Sequence, residues 1–76
     1  MKFSKTFKLD NDVQVVILMG VDGKTNENCL EERTCYKGNF YTSVTTCASK
    51  AHLLQKYVRY SRTDAEKFIL KVKEYE

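Results

Sequence analysis

The side chains with the richest chemistry are Cys29, Cys35, Cys47 and His52. Three thiolates and an imidazole are the donor set of a Cys3His zinc site. Their spacing is C-x5-C-x11-C-x4-H, without the close cysteine pair that structural zinc sites use. Cys47 ends an apolar, strand-like run and has the character of a small core residue. A Cys–His nucleophile pair would need His52, the one histidine, as its base. His52 falls in the first turns of a helical pattern, where the positive end of the helix dipole disfavours an imidazolium. No GxSxG, GxGxxG or Walker A sequence supplies an oxyanion hole or a phosphate cradle. The carboxylates could in principle share acid–base work, but no pattern sets two of them in a cleft. The sequence therefore predicts no catalytic residue, no metal and no cofactor.

Binding chemistry is better represented. At helical spacing His52, Lys56 and Arg59 lie within about 60° of arc, beside Gln55. Arg62 continues that arc if the helix extends. A stripe of one sign can follow phosphates, although a solvated helix face has the same composition. Asp10, Asp12, Glu31 and Glu32 belong to an acidic first half that could meet a basic partner. The stretch Asn39–Thr46 carries no charge. Within it Phe40 and Tyr41 must point to opposite faces of a strand, so one ring leaves the core, and Tyr41 is a preferred interface anchor. Leu70 stands off the apolar stripe of its helix and is a second anchor. The candidate partner-binding set is Tyr41, Leu70, Glu31, Glu32, Asp10 and Asp12. The candidate nucleic-acid set is His52, Gln55, Lys56, Arg59 and Arg62.

These groups must be carried by strands and then helices. Phe3, Phe7 and Leu9 alternate with Ser4, Thr6 and Lys8, and Lys5 on the apolar face suits an edge strand. Asp10-Asn11-Asp12 is turn chemistry. Val13 to Val21 is β-branched and apolar on both faces, as in a central strand. Asp22-Gly23 is a hairpin dipeptide, and a polar loop from Lys24 to Asn28 follows. Cys29 to Tyr36 is a weaker strand, polar on both faces at Glu31–Thr34, which fits an edge or an exposed stretch. Lys37-Gly38-Asn39 turns the chain, and Phe40 to Cys47 reads as strand.

After Cys47 the period becomes helical. Ser49 is an N-cap for a helix to Tyr60. Ala51, Leu53, Leu54, Tyr57, Val58 and Tyr60 share one broad side of it. Thr63-Asp64-Ala65-Glu66 has the form of a capping box for a helix to Tyr75, with Ala65, Phe68, Ile69, Val72 and Tyr75 as its core stripe. The predicted fold is α+β: an antiparallel meander of about four strands over residues 2–47, then helices at about 49–60 and 63–75 packed on one face.

At 76 residues this is one domain with a thin core. The composition, 42% hydrophobic and 30% charged with no proline, excludes disordered and low-complexity classes. The net charge of +3 conceals a division. Residues 1–8 carry +3, residues 9–36 carry −4 and residues 37–76 carry +4. The run Val13–Val21 is too short to cross a bilayer and follows acidic residues, where a leader peptide would be basic. The odd number of cysteines fits a reducing compartment. The expectation is a cytoplasmic protein with free thiols and no membrane contact.

A domain with this little interior works through its outside. The first expectation is a small non-enzymatic binding protein with a protein partner. By size and architecture only, and through no residue motif, it is similar to small phage or mobile-element inhibitors, anti-CRISPR proteins among them. The alternative is a nucleic-acid-binding accessory protein using the basic face of the first helix. A homodimer is compatible with either, because a thin core gains from association.

Overall fold

The computed structural model describes residues 3–21 and 27–75. The expected hairpin dipeptide at Asp22-Gly23 lies outside them, as do Met1, Lys2 and most of the polar loop. Four strands, β1 (Phe3–Lys8), β2 (Gln14–Val21), β3 (Asn28–Tyr36) and β4 (Asn39–Cys47), are followed by α1 (Lys50–Arg59) and α2 (Arg62–Glu74). The strands form one antiparallel sheet in the order β1-β2-β3-β4. This is the α+β meander that the sequence predicts.

Turn chemistry sets the two described connections of the sheet. Asp10–Asp12 makes one 3-10 turn with Asp12 at φ 61°. Asp is among the few residue types that reach this left-handed region readily. The Leu9 N–H donates to the Val13 carbonyl at 2.7 Å and closes the turn. Between β3 and β4, Lys37 at φ 50° and Gly38 at φ 80° are the two central residues of a tight hairpin. Positive φ at both positions is the type I′ geometry, whose twist matches that of paired strands. Asn39 is already the first residue of β4 and not part of the turn.

Register then sorts every side chain onto one of two faces. Phe7, Val15, Thr34 and Tyr41 line up across the sheet toward the helices, as do Lys5, Ile17, Glu32 and Ser43. Ser4, Leu18, Glu31 and Val44 line up on the other side, with Thr6, Val16, Arg33 and Thr42 beside them. The core lies between the first face and the helices. It consists of Val15, Ile17, Met19, Leu30 and Cys47 from the sheet, with Leu53, Ala65, Phe68, Ile69 and Val72 from the helices. Each large aliphatic side chain buried there stabilises the fold by about 1.5–3 kcal/mol.

Helix ends follow local hydrogen bonding. Ser49 caps α1 through its hydroxyl, which accepts from the His52 N–H at 3.1 Å. For α2 the capping pair is Ser61 and Asp64, not Thr63 and Glu66. The Ser61 N–H donates to Asp64 Oδ2 at 2.9 Å, and the Ser61 hydroxyl donates to the same oxygen at 3.1 Å. The motif shifts by two residues because Arg62 is already helical. Glu66 instead lies one turn on from Arg62 and pairs with it at 3.2 Å.

Three packing expectations are corrected. β3 is an inner strand and not an edge, because its polar residues find partners on each face. Arg33 pairs with Glu31, Tyr60 donates to Glu32, and buried Thr34 donates to the Gln14 carbonyl at 2.6 Å. Of the broad apolar side of α1, only Leu53 is buried, with Tyr57 and Tyr60 half-buried; Ala51, Leu54 and Val58 face outward. A helix buries only the arc that meets the sheet, and that arc is narrower here than the apolar one. Tyr75 is 79% exposed and lies outside the core, since α2 ends at Glu74.

Candidate interaction surface

Among the described residues, two helices on one side of a four-stranded sheet leave its other side without a covering layer. On that side β2 presents Val16 and Leu18, half-buried by their neighbours across the strands. β4 presents Phe40, which is 86% exposed, and Val44, at 57%. Between them β3 places Glu31 and Arg33 on the same face. Arg33 donates from Nη2 at 2.6 Å and from Nε at 2.9 Å to one oxygen of Glu31. The pair cancels its own charge in the middle of a surface that also carries apolar side chains, hydroxyls, two thiols and, toward one end, Gln14 and Lys8. Gln14, Val16, Leu18, Arg33, Cys35 and Phe40 help to line a shallow cleft of about 510 Å³ on this face.

Phe40, and not Tyr41, is therefore the ring that leaves the core. Tyr41 lies on the helix face, half-buried against the core. It borders a second cleft of about 630 Å³ between β4 and α2, together with Glu32, Ser43, Tyr60, Lys67 and Lys71. At its floor the Tyr60 hydroxyl donates to Glu32 Oε2 at 2.5 Å. Burial is the main cause that pushes this phenol well above its ordinary range. The bond to Glu32 and the negative charges of Glu32 and Asp64 act in the same direction. The Tyr60 ring also packs on Phe7, with centroids 5.6 Å apart. The neighbours Glu31 and Glu32 thus serve opposite faces, as strand alternation requires.

The remaining candidates separate into two groups. Asp10, Asp12 and Leu70 come together at the end of the sheet. They line a cleft of about 640 Å³ with Tyr36, Glu66 and Lys73. Leu70 is 59% exposed there. On α1, His52, Gln55, Lys56 and Arg59 line one cleft of about 390 Å³. Arg62 does not continue their arc, because α1 stops at Arg59 and Tyr60 turns to extended backbone. Arg62 instead pairs with Asp10 at 3.6 Å and with Glu66. Asp64 also lines the α1 cleft, so the stripe that carries no acid along the helix meets one across it.

The three cysteines are free and divided between the faces. Cys47 is buried under the helices, while Cys29 and Cys35 lie on the other side of the sheet. Cys29 and Cys35 are six positions apart along one strand, about 20 Å at strand rise. Among the described residues, no three of His, Cys, Asp and Glu are grouped so that they could hold a metal ion. No described helix is long and apolar enough to cross a membrane.

No family model matches the chain, and neither a curated protein nor a solved structure matches it. The sequence reading missed Phe40, Val44, Val16 and Leu18 as surface residues. The signal was present in the apolar character of Val13–Val21 on both faces: two helices can cover only one of them.

Proposed function

We propose that this chain is a small binding protein without catalysis, and that its partner is a protein held on the uncovered sheet face. The observation that carries this reading is Phe40, a large ring 86% exposed on the same face as Val44, Val16 and Leu18, with the self-neutralised Glu31–Arg33 pair between them. Aromatic anchors surrounded by a polar rim are the usual anatomy of protein interfaces. Three free thiols suit a reducing compartment, and we place the protein in the cytoplasm. The reading as an inhibitor of phage type, anti-CRISPR proteins included, rests on size and architecture alone.

The test is capture of a partner from host lysate by wild type and by the double variant Phe40→Asp/Val44→Asp. A protein retained by wild type and lost by the variant, with the far-UV circular dichroism unchanged, supports the reading. A protein retained equally by both overturns the placement of the site. Recovery of nucleic acid alone overturns the choice of partner.

Nucleic-acid binding stands as a second reading because His52, Gln55, Lys56 and Arg59 border one cleft. Its test is a salt titration of oligonucleotide binding with Lys56→Glu/Arg59→Glu. Loss of affinity and a shallower salt slope support it. An unchanged slope removes it.

A further inference from the structure

The two edges of the sheet are built differently. β1 carries Lys5 and Lys8, and the Lys5 ammonium reaches back over the Tyr57 ring at 4.5 Å. Lysines on an edge are a common device against unwanted strand pairing. β4 has no such device. Its sequence, Asn39-Phe-Tyr-Thr-Ser-Val-Thr-Thr-Cys47, contains no charge and no proline. Its nine residues pair with β3 without a bulge. Aromatic and β-branched residues make up most of it, which is strong strand chemistry. Among the described residues, β4 pairs with β3 alone.

The hairpin geometry says which groups point outward. A two-residue type I′ turn closes on a hydrogen-bonded pair, here Tyr36 and Asn39. Antiparallel pairing alternates bonded and non-bonded positions. Asn39, Tyr41, Ser43, Thr45 and Cys47 therefore bond to β3. The N–H and C=O groups of Phe40, Thr42, Val44 and Thr46 point away from the sheet. None of the other hydrogen bonds among the described residues uses them.

We infer that β4 pairs antiparallel with β4 of a second copy about a two-fold axis at Ser43. In that register the whole strand overlaps its partner. Phe40 then meets Thr46, Thr42 meets Val44, and each outward-pointing pair exchanges both hydrogen bonds. Any other antiparallel register shortens the overlap, and a shift by one residue sets outward groups against groups already bonded to β3. The cross-strand neighbours are aromatic, β-branched or hydroxyl-bearing, and no like charges oppose each other. The contact is isologous and closes at two copies. It joins the two sheets into one of eight strands and brings the uncovered faces together as a single surface. The inference stands on β4 alone and does not depend on the partner proposed above.

The experiment is sedimentation equilibrium at concentrations about a hundredfold apart, with amide hydrogen exchange at the same two concentrations. The expected result is a dimer at high concentration. The amides of Phe40, Thr42, Val44 and Thr46 exchange slowly in the dimer and quickly in the monomer, while those of Tyr41, Ser43 and Thr45 stay protected in both. Thr42→Pro removes only an outward N–H, which edge strands tolerate, and is expected to give a monomer. A monomer at both concentrations overturns the inference. So does a dimer in which the four amides remain unprotected, because the contact then lies elsewhere. If Thr42→Pro does not fold, the exchange pattern of the wild type decides by itself.

Discussion

Replacing Tyr60 by Phe removes one oxygen and leaves the ring against Phe7. The lost interaction is the hydrogen bond from the Tyr60 hydroxyl to Glu32 Oε2 at 2.5 Å. A bond to a charged acceptor contributes about 1.5–3 kcal/mol net. Both residues are half-buried, so water replaces part of it, and the expected loss at pH 7 is about 1.5 kcal/mol. In a domain of this size that lowers Tm by roughly 6–12 °C. The pH dependence separates this bond from a general packing loss. The folded protein holds the Tyr60 proton well above the ordinary value of 10.0. The unfolded chain releases its proton near that value. Above it the unfolded state binds fewer protons than the native state, so stability falls as pH rises, by up to about 1.4 kcal/mol per unit. The Phe variant lacks this proton. The wild-type advantage is therefore full from pH 7 to 9 and shrinks above 10. Near pH 11 it is almost gone, at about 1.4 kcal/mol lost per unit. Urea unfolding followed by far-UV circular dichroism at pH 7, 9, 10 and 11 measures it for both proteins. A variant as stable as wild type at pH 7, or a difference that stays constant from pH 9 to 11, would refute the reasoning.

Three further outcomes are expected from unfolding curves. Ile17→Ala costs about 3 kcal/mol, because the side chain is fully buried, whereas Leu18→Ala on the uncovered face costs under about 1 kcal/mol; equal losses would mean that both faces of β2 are covered. Asp64→Ala costs about 1 kcal/mol by removing the acceptor that caps α2, and Thr63→Ala stays within about 0.5 kcal/mol; the reverse order would restore Thr63 as the cap. Gly38→Ala costs about 1 kcal/mol through its backbone conformation. No atom lies within 4 Å of the added Cβ, so a much larger loss would point to a clash that the fold does not contain.

Much of the architecture was legible along the chain because each element announces itself over a few neighbouring residues. Alternation in Phe3–Leu9, β-branching in Val13–Val21 and the change of period after Cys47 are local signals. Ser49 was legible as a cap for the same reason, since it and His52 are three residues apart. The α2 cap was misplaced because Ser61–Asp64 and Thr63–Glu66 are both plausible pairs, and only the first helical residue decides between them. The binding candidates were less legible. Glu31 and Glu32 look alike in sequence, yet one neutralises Arg33 and the other receives the Tyr60 hydroxyl, 28 residues away.

The sequence by itself determined the order of the elements, their type, and which side chains of each strand share a face. Backbone chemistry and periodicity act at short range and suffice for that. The tertiary structure decided which faces are covered. It made Phe40 rather than Tyr41 the exposed ring, left Leu54 and Val58 outside the core, and set Asp10 beside Arg62, which the end of α1 at Arg59 already takes out of the basic stripe. It also placed β4, which like β2 carries no charge, at an edge of the sheet while β2 lies inside it. These outcomes depend on where two helices lie across four strands, and burial is a property of that layer contact, not of any residue's own neighbours in the chain.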